Sequence, residues 1–285
     1  MLDDVLAPLA RSEWPEVAYR SSRLTPDGSP VELAWTTRDP AVRWTAEVAA
    51  PEVPSTDRWT LAAARAALPA GTVAAVAGLQ RRAPLRYGAW LGGRHDEDGN
   101  DRFEVYAEVP PGADLRPLVD HPVLRQCALR WRMVGASPDG RLELYAGIDR
   151  PDDMDLRAFE QVTLGSSGRL LAAVRELTGA PELARPSGLS VVLAPVDQPL
   201  AVTWFASARG LFASDAATVT ALTDRCTDPR GRAVLAALVP VGLPAPRRAV
   251  VPVGVGVALD CSTWVQAGAV ATRDRATVRA CPSSS

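Results

Sequence analysis

The sequence predicts an α+β fold: a ten-stranded antiparallel barrel of five ββ hairpins ringed by helices. Three observations lead there. β-rich runs come in adjacent pairs, each split by a turn signal. Helix-like segments rich in Ala, Leu and Arg stand between the pairs. The strands alternate apolar and polar residues, so each has one face for a core and one for a different environment. Two-stranded units cannot bury a face singly, and closing five of them into one ring removes every exposed edge.

The first hairpin spans 31–37 and 42–48, VELAWTT and VRWTAEV, and turns at Asp39-Pro40. The second spans 85–94 and 102–109 around Asp98-Gly99-Asn100, and the third 129–135 and 141–148 around Ser137-Pro138-Asp139-Gly140. The fourth, 188–194 and 199–206, turns at Asp197, and the fifth, 249–258 and 263–271, at Asp260. A helix is expected over 57–69, capped by Ser55-Thr56 and stopped at Pro69-Gly71. Others are expected over 168–178 after Ser166-Ser167, over 215–224 after Ser214, over 230–238, and within 1–20. The layout makes 1–280 a single barrel domain, with 281–285 a disordered tail.

Parity assigns the faces. Phe103, Val105, Ala107 and Val109 share one side, opposed by Glu104, Tyr106 and Glu108. Leu142, Leu144, Ala146 and Ile148 oppose Arg141, Glu143 and Tyr145, and Val42, Trp44, Ala46 and Val48 oppose Arg43, Thr45 and Glu47. The apolar sides should face helices and the polar sides a solvated lumen. An open sheet with one wet surface would show the same alternation.

Composition removes whole classes of function. The chain has 285 residues, 31 basic, 33 acidic and two His. Every basic side chain is Arg, which excludes a P-loop lysine, a Schiff-base lysine and a Ser–Lys dyad. Two histidines cannot build a multi-histidine zinc site, and no metal is indicated. A formal charge of −2 with no basic run argues against nucleic acid and against an anionic membrane surface. No apolar stretch approaches the ~18 residues of a membrane span. Cys127, Cys226, Cys261 and Cys281 show no C-x-x-C spacing and read as incidental thiols of a reducing cytoplasm. Abundant Ala and Arg without Lys points to a high-GC genome of the actinobacterial kind.

The paired strands, with Phe103-Glu104-Val105-Tyr106-Ala107-Glu108-Val109-Pro110 and Arg141-Leu142-Glu143-Leu144-Tyr145, resemble the ABBA or PT-barrel family of aromatic and peptide prenyltransferases. The likeness covers nearly the whole chain by layout and rests on short motifs. It implies five α-β-β-α repeats around a lumen. In that family the second strand of inner hairpins commonly reads Lys-x-Tyr. The lysine grips a diphosphate and the tyrosine shields an allyl cation. This chain departs there: Glu104 precedes Tyr106, Glu143 precedes Tyr145, and Gln266 stands on the last strand where a further cation belongs. Putting a carboxylate in place of a gripping cation costs on the order of 1–4 kcal/mol per contact.

Parity sends Arg43, Arg86, Arg94, Arg130, Arg132 and Arg141 to the lumen, among Glu32, Glu47, Glu104, Glu108 and Glu143. Trp90, Tyr106, Tyr145, Phe205 and Trp264 supply aromatic walls. Glu104, Glu143, Tyr106 and Tyr145 are the candidate acid–base residues; the alternative is that both acids are salt-bridged to Arg86, Arg130, Arg132 or Arg141. The resemblance also offers Glu47 as an acceptor-deprotonating base, against a plain ion pair with Arg43. The remaining candidates for substrate contact are the lumenal arginines with Trp90, Phe205, Trp264 and Gln266. Asp96–Asp101 has alternate oxygens like the start of a calcium loop but Ala107 at its twelfth position, so it reads as a solvated turn. His95 and His121 lack a nucleophile motif. Gly165-Ser166-Ser167-Gly168 reads as a helix cap rather than an anion seat.

These features favour an enzyme of specialised metabolism that reuses the barrel without a prenyl diphosphate. It would hold an extended substrate, a peptide, and add a nucleophile to an activated alkene or cyclise, with Arg130 or Arg132 on the developing enolate. It would need no cofactor and could work with other biosynthetic enzymes. The alternatives are an aromatic or peptide prenyltransferase with an arginine-based site for a prenyl diphosphate, with or without Mg, and a non-catalytic peptide-binding barrel.

Overall fold

Ten strands pair in chain order and the first closes on the last. The computed structural model describes residues 22–25, 28–39, 41–95, 101–121, 124–125, 127, 129–149, 166–180, 183–184, 186–193, 199–238, 249–258 and 260–270. The helix expected within 1–20, most of the Asp96–Asp101 loop, the Asp197 turn, Gly165 and the tail lie outside these residues.

The strands are β1 (Val31–Thr36), β2 (Val42–Glu47), β3 (Ala89–His95), β4 (Asp101–Glu108), β5 (Arg130–Ala136), β6 (Leu142–Ile148), β7 (Ser187–Leu193), β8 (Pro199–Ser207), β9 (Val250–Ala258) and β10 (Thr263–Ala269). All neighbours are antiparallel, and β1 meets β10 with Leu33 opposite Ala269. The expected hairpins are therefore all present, within a few residues at each end. A closed ring of this kind has no edge strand and no wet open sheet.

Six helices stand among the described residues: α1 (Ser55–Arg65), α2 (Ala70–Gln80), α3 (Ser166–Thr178), α4 (Ala208–Leu211), α5 (Asp215–Thr223) and α6 (Pro229–Leu238). Three expectations need correction. The segment 57–69 ends as a helix at Arg65, Ala67 having left the helix at φ 53°, and Pro69 caps a second helix rather than stopping the first. α2 escapes a propensity reading because Gly71, Val73, Val76 and Gly78 are weak helix formers; packing of Val76 and Leu79 against the barrel holds it. Ser55-Thr56 also makes no capping bond. Ser214 does cap α5, its Oγ accepting the Ala217 N–H at 3.1 Å.

The apolar faces point outward, as parity requires. α1 lies on β3 and β4, α3 on β8 and β9, and α6 on β1. Two large apolar clusters result, one around Trp44, Trp59, Leu91 and Val105, the other around Trp35, Leu144, Leu189, Trp204 and Val255. Each fully buried large side chain contributes about 1.5–3 kcal/mol. Indole N–H bonds tie helices in place: Trp35 to the Gly231 carbonyl at 2.7 Å, and Trp59 to that of Val73 at 3.1 Å. At the start of β3, Gly88 (φ 78°) passes so close to Ser55 that any Cβ would strike the Ser55 backbone.

Candidate functional site in the barrel lumen

Alternation carries every second residue of each strand to the inside, and the register shows which meet. Arg43 lies opposite Arg94, and Arg94 opposite Arg102. Two residues further along, Glu104 is opposite Gly92, while Glu143 is opposite Gly135. Strand geometry separates these layers by roughly 7 Å. The arginine layer sits towards the hairpin turns and the carboxylate layer beneath it.

Asp39, read from sequence only as a turn residue, organises the arginines. Its Oδ2 accepts from Arg43 at 3.1 Å and from Arg94 at 2.8 Å. Its carboxyl is held below the usual range: burial pulls it up, but the Ala41 N–H and the two guanidinium groups outweigh that. Arg94 is lowered, by burial first and by Arg43 second. Arg102 and Arg141 make no ion pair among the described residues. Simple parity with Glu104 would have put Arg102 in the lumenal set.

Among the described residues neither Glu104 nor Glu143 has an ion-pair partner. Arg86, Arg130, Arg132 and Arg141 do not fill that role. Instead the Tyr106 hydroxyl donates to Glu104 at 3.0 Å, and the Tyr145 hydroxyl bonds Glu143. Both acids are half-buried on the lumenal face. Burial first and the Glu143 carboxylate second push Glu104 up to about 7; the Tyr106 hydrogen bond, Arg141 and Arg43 pull the other way. Tyr106 and Tyr145 are both raised, chiefly by burial and then by the acids beside them. Tyr106 meets Tyr145 edge-on at 5.9 Å and 79°, and Tyr145 meets Phe205 at 6.2 Å.

The other expected residues lie elsewhere. Arg86 is exposed in the loop before β3, its N–H bonded to Glu108, because the strand starts at Ala89 and not at residue 85. Glu108 also accepts from the N–H groups of Tyr87 and Gly88, so it fastens that loop. Arg130 and Arg132 sit at the helix-side rim, both more than half exposed and bonded to Asp149; a bulge between Trp131 and Met133 puts Arg132 over Gly147. Arg132 lies three residues along β5 from Gly135, the residue opposite Glu143, and Arg130 lies five. Glu47 pairs with Arg58 of α1, not with Arg43, and accepts from Ser22 at 2.8 Å and from the Trp90 indole at 3.2 Å. Trp90 itself stacks on Tyr87 at 3.8 Å. Both carboxylate oxygens of Glu47 are thus engaged by groups of the fold.

On the opposite wall, Trp264 joins Val192, Ala201 and Ala258 in a small apolar cluster inside the lumen, with Arg38 over its ring at 4.7 Å. Trp264 donates to the Gln266 amide at 3.3 Å, so Gln266 supports a ring instead of replacing a cation. Sequence reading missed a device that recurs around the ring: lumenal glycines act as seats. A Cβ on Gly92 would fall 2.7 Å from the Tyr106 ring, one on Gly135 2.6 Å from Glu104 Oε1, and Gly188 and Gly256 lie under Phe205 and Trp264. Glycines at alternate strand positions were the available signal.

His95 and Asp101 bond each other on the outer face, and the Trp44 indole donates to His95 Nε2 at 2.7 Å, a packing role. His121 is buried beside a cavity of about 550 Å³ outside the barrel, lined also by Thr72, Asp120 and Leu142. No described helix is long and apolar enough to cross a membrane.

Known structures share this architecture. The 5-dimethylallyl tryptophan synthase of Streptomyces coelicolor, solved with DMASPP and Trp, superposes with a TM-score of 0.73 at 16% identity, covering 96% of this chain and 88% of that one. The 6-dimethylallyltryptophan synthase of Micromonospora olivasterospora gives 0.68 at 19% identity over 93% and 90%. AnaPT of Neosartorya fischeri gives 0.59 at 14% over 94% and 87%. No protein-family model and no curated sequence matches. The chain therefore has the PT-barrel fold; at these identities the likeness is one of fold.

Proposed function

We propose that the chain is an enzyme of specialised metabolism that runs acid–base chemistry in a PT-barrel lumen on an extended peptide substrate. The observation that carries this is the pair of lumenal carboxylates, Glu104 and Glu143, bonded to tyrosines and, among the described residues, to no cation. A carboxyl poised near neutrality suits proton transfer in both directions. In the addition we favour, a carboxylate takes the proton of an X–H nucleophile, X bonds to the β-carbon of an activated alkene, and the π pair moves onto the carbonyl as an enolate. The carboxylic acid then returns its proton to the α-carbon. Arg141, which acts on Glu104 electrostatically, replaces Arg130 and Arg132 as the group near the enolate. Partner enzymes of the same pathway would install the alkene.

A second reading is prenyl transfer with an arginine grip. Arg102 and Arg141, with Arg43 and Arg94 beside them, could hold a diphosphate above Tyr106, Tyr145 and Phe205, and two of the similar structures hold DMASPP with Trp. It ranks second because Asp39 already takes two of the arginines and two carboxylates lie directly beneath. Calorimetric titration with dimethylallyl and geranyl diphosphate, with and without magnesium, separates the two. We expect no binding at millimolar ligand; micromolar binding would return the protein to diphosphate chemistry. Incubation with dehydroalanine-containing peptides from neighbouring biosynthetic genes gives the positive arm. Ring closure conserves mass and abolishes trapping of the alkene by added thiol, and loss of that activity in E104Q ties it to the lumen.

A further inference from the structure

We propose that the centre of the lumen is a seat for an organic ammonium group, held between the Glu104 and Glu143 carboxylates and the rings of Tyr106, Tyr145 and Phe205. This deepens the acid–base reading and rests on it, naming the nucleophile as an amine.

Four observations converge. First, buried carboxylates are ordinarily paired with a cation, because desolvation penalises an isolated charge. Here neither acid has such a partner among the described residues. Second, each carboxylate has accepted one tyrosine hydrogen bond, and a carboxylate offers about four acceptor positions. Donors from an ammonium group can fill the rest. Third, the rings stand at steep angles to one another, 79° between Tyr106 and Tyr145 and 58° between Tyr145 and Phe205, forming successive walls rather than a stack. Aromatic walls around a carboxylate are the usual recognition of an organic cation. Fourth, Gly92 under Tyr106 and Gly188 under Phe205 let these rings lie along the wall instead of crossing the lumen.

The charged and titratable groups that bear on Glu104 are Glu143 from β6, the two tyrosines, Arg141 and Arg43. Arg43 is tied to Asp39, and Arg141 lies one layer nearer the turns. They set an upper layer favourable to anions and leave the lower one to cations. An ammonium entering the lower layer displaces the proton that Glu104 holds near neutrality, and the amine that results after transfer to the carboxylate has a free lone pair for attack.

The test is calorimetry on the full chain at pH about 7. 2-Phenylethylamine is titrated against its neutral isostere 2-phenylethanol, in two buffers of different ionisation enthalpy. Phenylalaninamide and Nα-acetyl-lysinamide stand for a peptide N-terminus and a lysine side chain. We expect at least one amine to bind about tenfold tighter than 2-phenylethanol, the factor for a desolvated cation–π and carboxylate contact. Binding should release protons in the wild type and none in E104Q. E104Q/E143Q should lose the tenfold preference while keeping the wild-type circular dichroism spectrum. Equal affinity for amine and alcohol, or no binding of any amine at millimolar concentration, overturns the ammonium seat. If the preference fails but either ligand still shifts the Glu104 proton, the acid–base reading survives alone. If only dimethylallyl diphosphate binds, both fall.

Discussion

Strands β2 to β6 line their half of the lumen with Arg43, Arg94, Arg102, Glu104, Tyr106, Arg141, Glu143 and Tyr145, whereas β7 to β10 line theirs with Ser190, Val192, Thr203, Phe205, Trp264, Gln266 and glycines. The two halves share one hydrogen-bonded ladder, one alternation and one outer coat of apolar residues. They differ in what holds the inner side chains still. In the charged half several side chains are held by a named partner: Asp39 for Arg43 and Arg94, Tyr106 for Glu104, Arg58 for Glu47. In the neutral half rings are fixed by shape, lying on Gly188 and Gly256. Charge is therefore concentrated on one wall, while packed rings and glycines shape the other.

Mutations should break this contrast unevenly. The largest effect belongs to Arg58→Ala, which strands the buried Glu47 carboxylate; urea unfolding at neutral pH should show a loss of about 3–5 kcal/mol, partly restored in R58A/E47Q. An unchanged midpoint would mean that water replaces the guanidinium.

Next comes pH. Glu104, pushed up to about 7 from the usual 4.5, binds its proton more tightly in the folded chain than in the unfolded one. Its contribution is fully present below the unfolded value and is lost as pH rises through about 7. Unfolding free energy should thus fall across that window by up to about 3 kcal/mol. E104Q should flatten the slope, and E143Q should move it to lower pH by removing the second-largest cause. A slope that survives in E104Q would assign it to another group.

Glycine substitutions compare the halves directly. Gly256→Ala forces the packed Trp264 ring to move and should cost about 1–3 kcal/mol. Gly135→Ala meets chiefly the end of the flexible Glu104 side chain, should cost less than about 1 kcal/mol, and should instead shift the Glu104 titration. Equal thermal shifts in the two variants would erase the distinction between shape and partner. The smallest effect is Arg38→Ala, about 0.5–1 kcal/mol from an exposed cation–π contact, read from thermal unfolding.

The sequence by itself determined the hairpins, the parity of each strand and most of the lumenal set. These depend on a two-residue period and on turn residues such as Asp39, Asp139-Gly140 and Asp260, which are local properties of the chain. Arg43, Trp90, Glu104, Tyr106, Glu143, Tyr145, Phe205 and Trp264 accordingly stand on the face that alternation assigns. Tertiary structure alone decided which of them meet. Asp39 captures two arginines because pairing of the first and second hairpins brings β2 and β3 side by side, with Arg43 opposite Arg94. Glu47 finds Arg58 only because α1 packs over β3. Arg132 reaches the rim because of a bulge that alternation does not record. That Glu104 and Glu143 have no salt bridge among the described residues follows from the same cause: charge pairing is settled by distances of a few ångströms across strands, and those are fixed by register and the glycine seats rather than by composition.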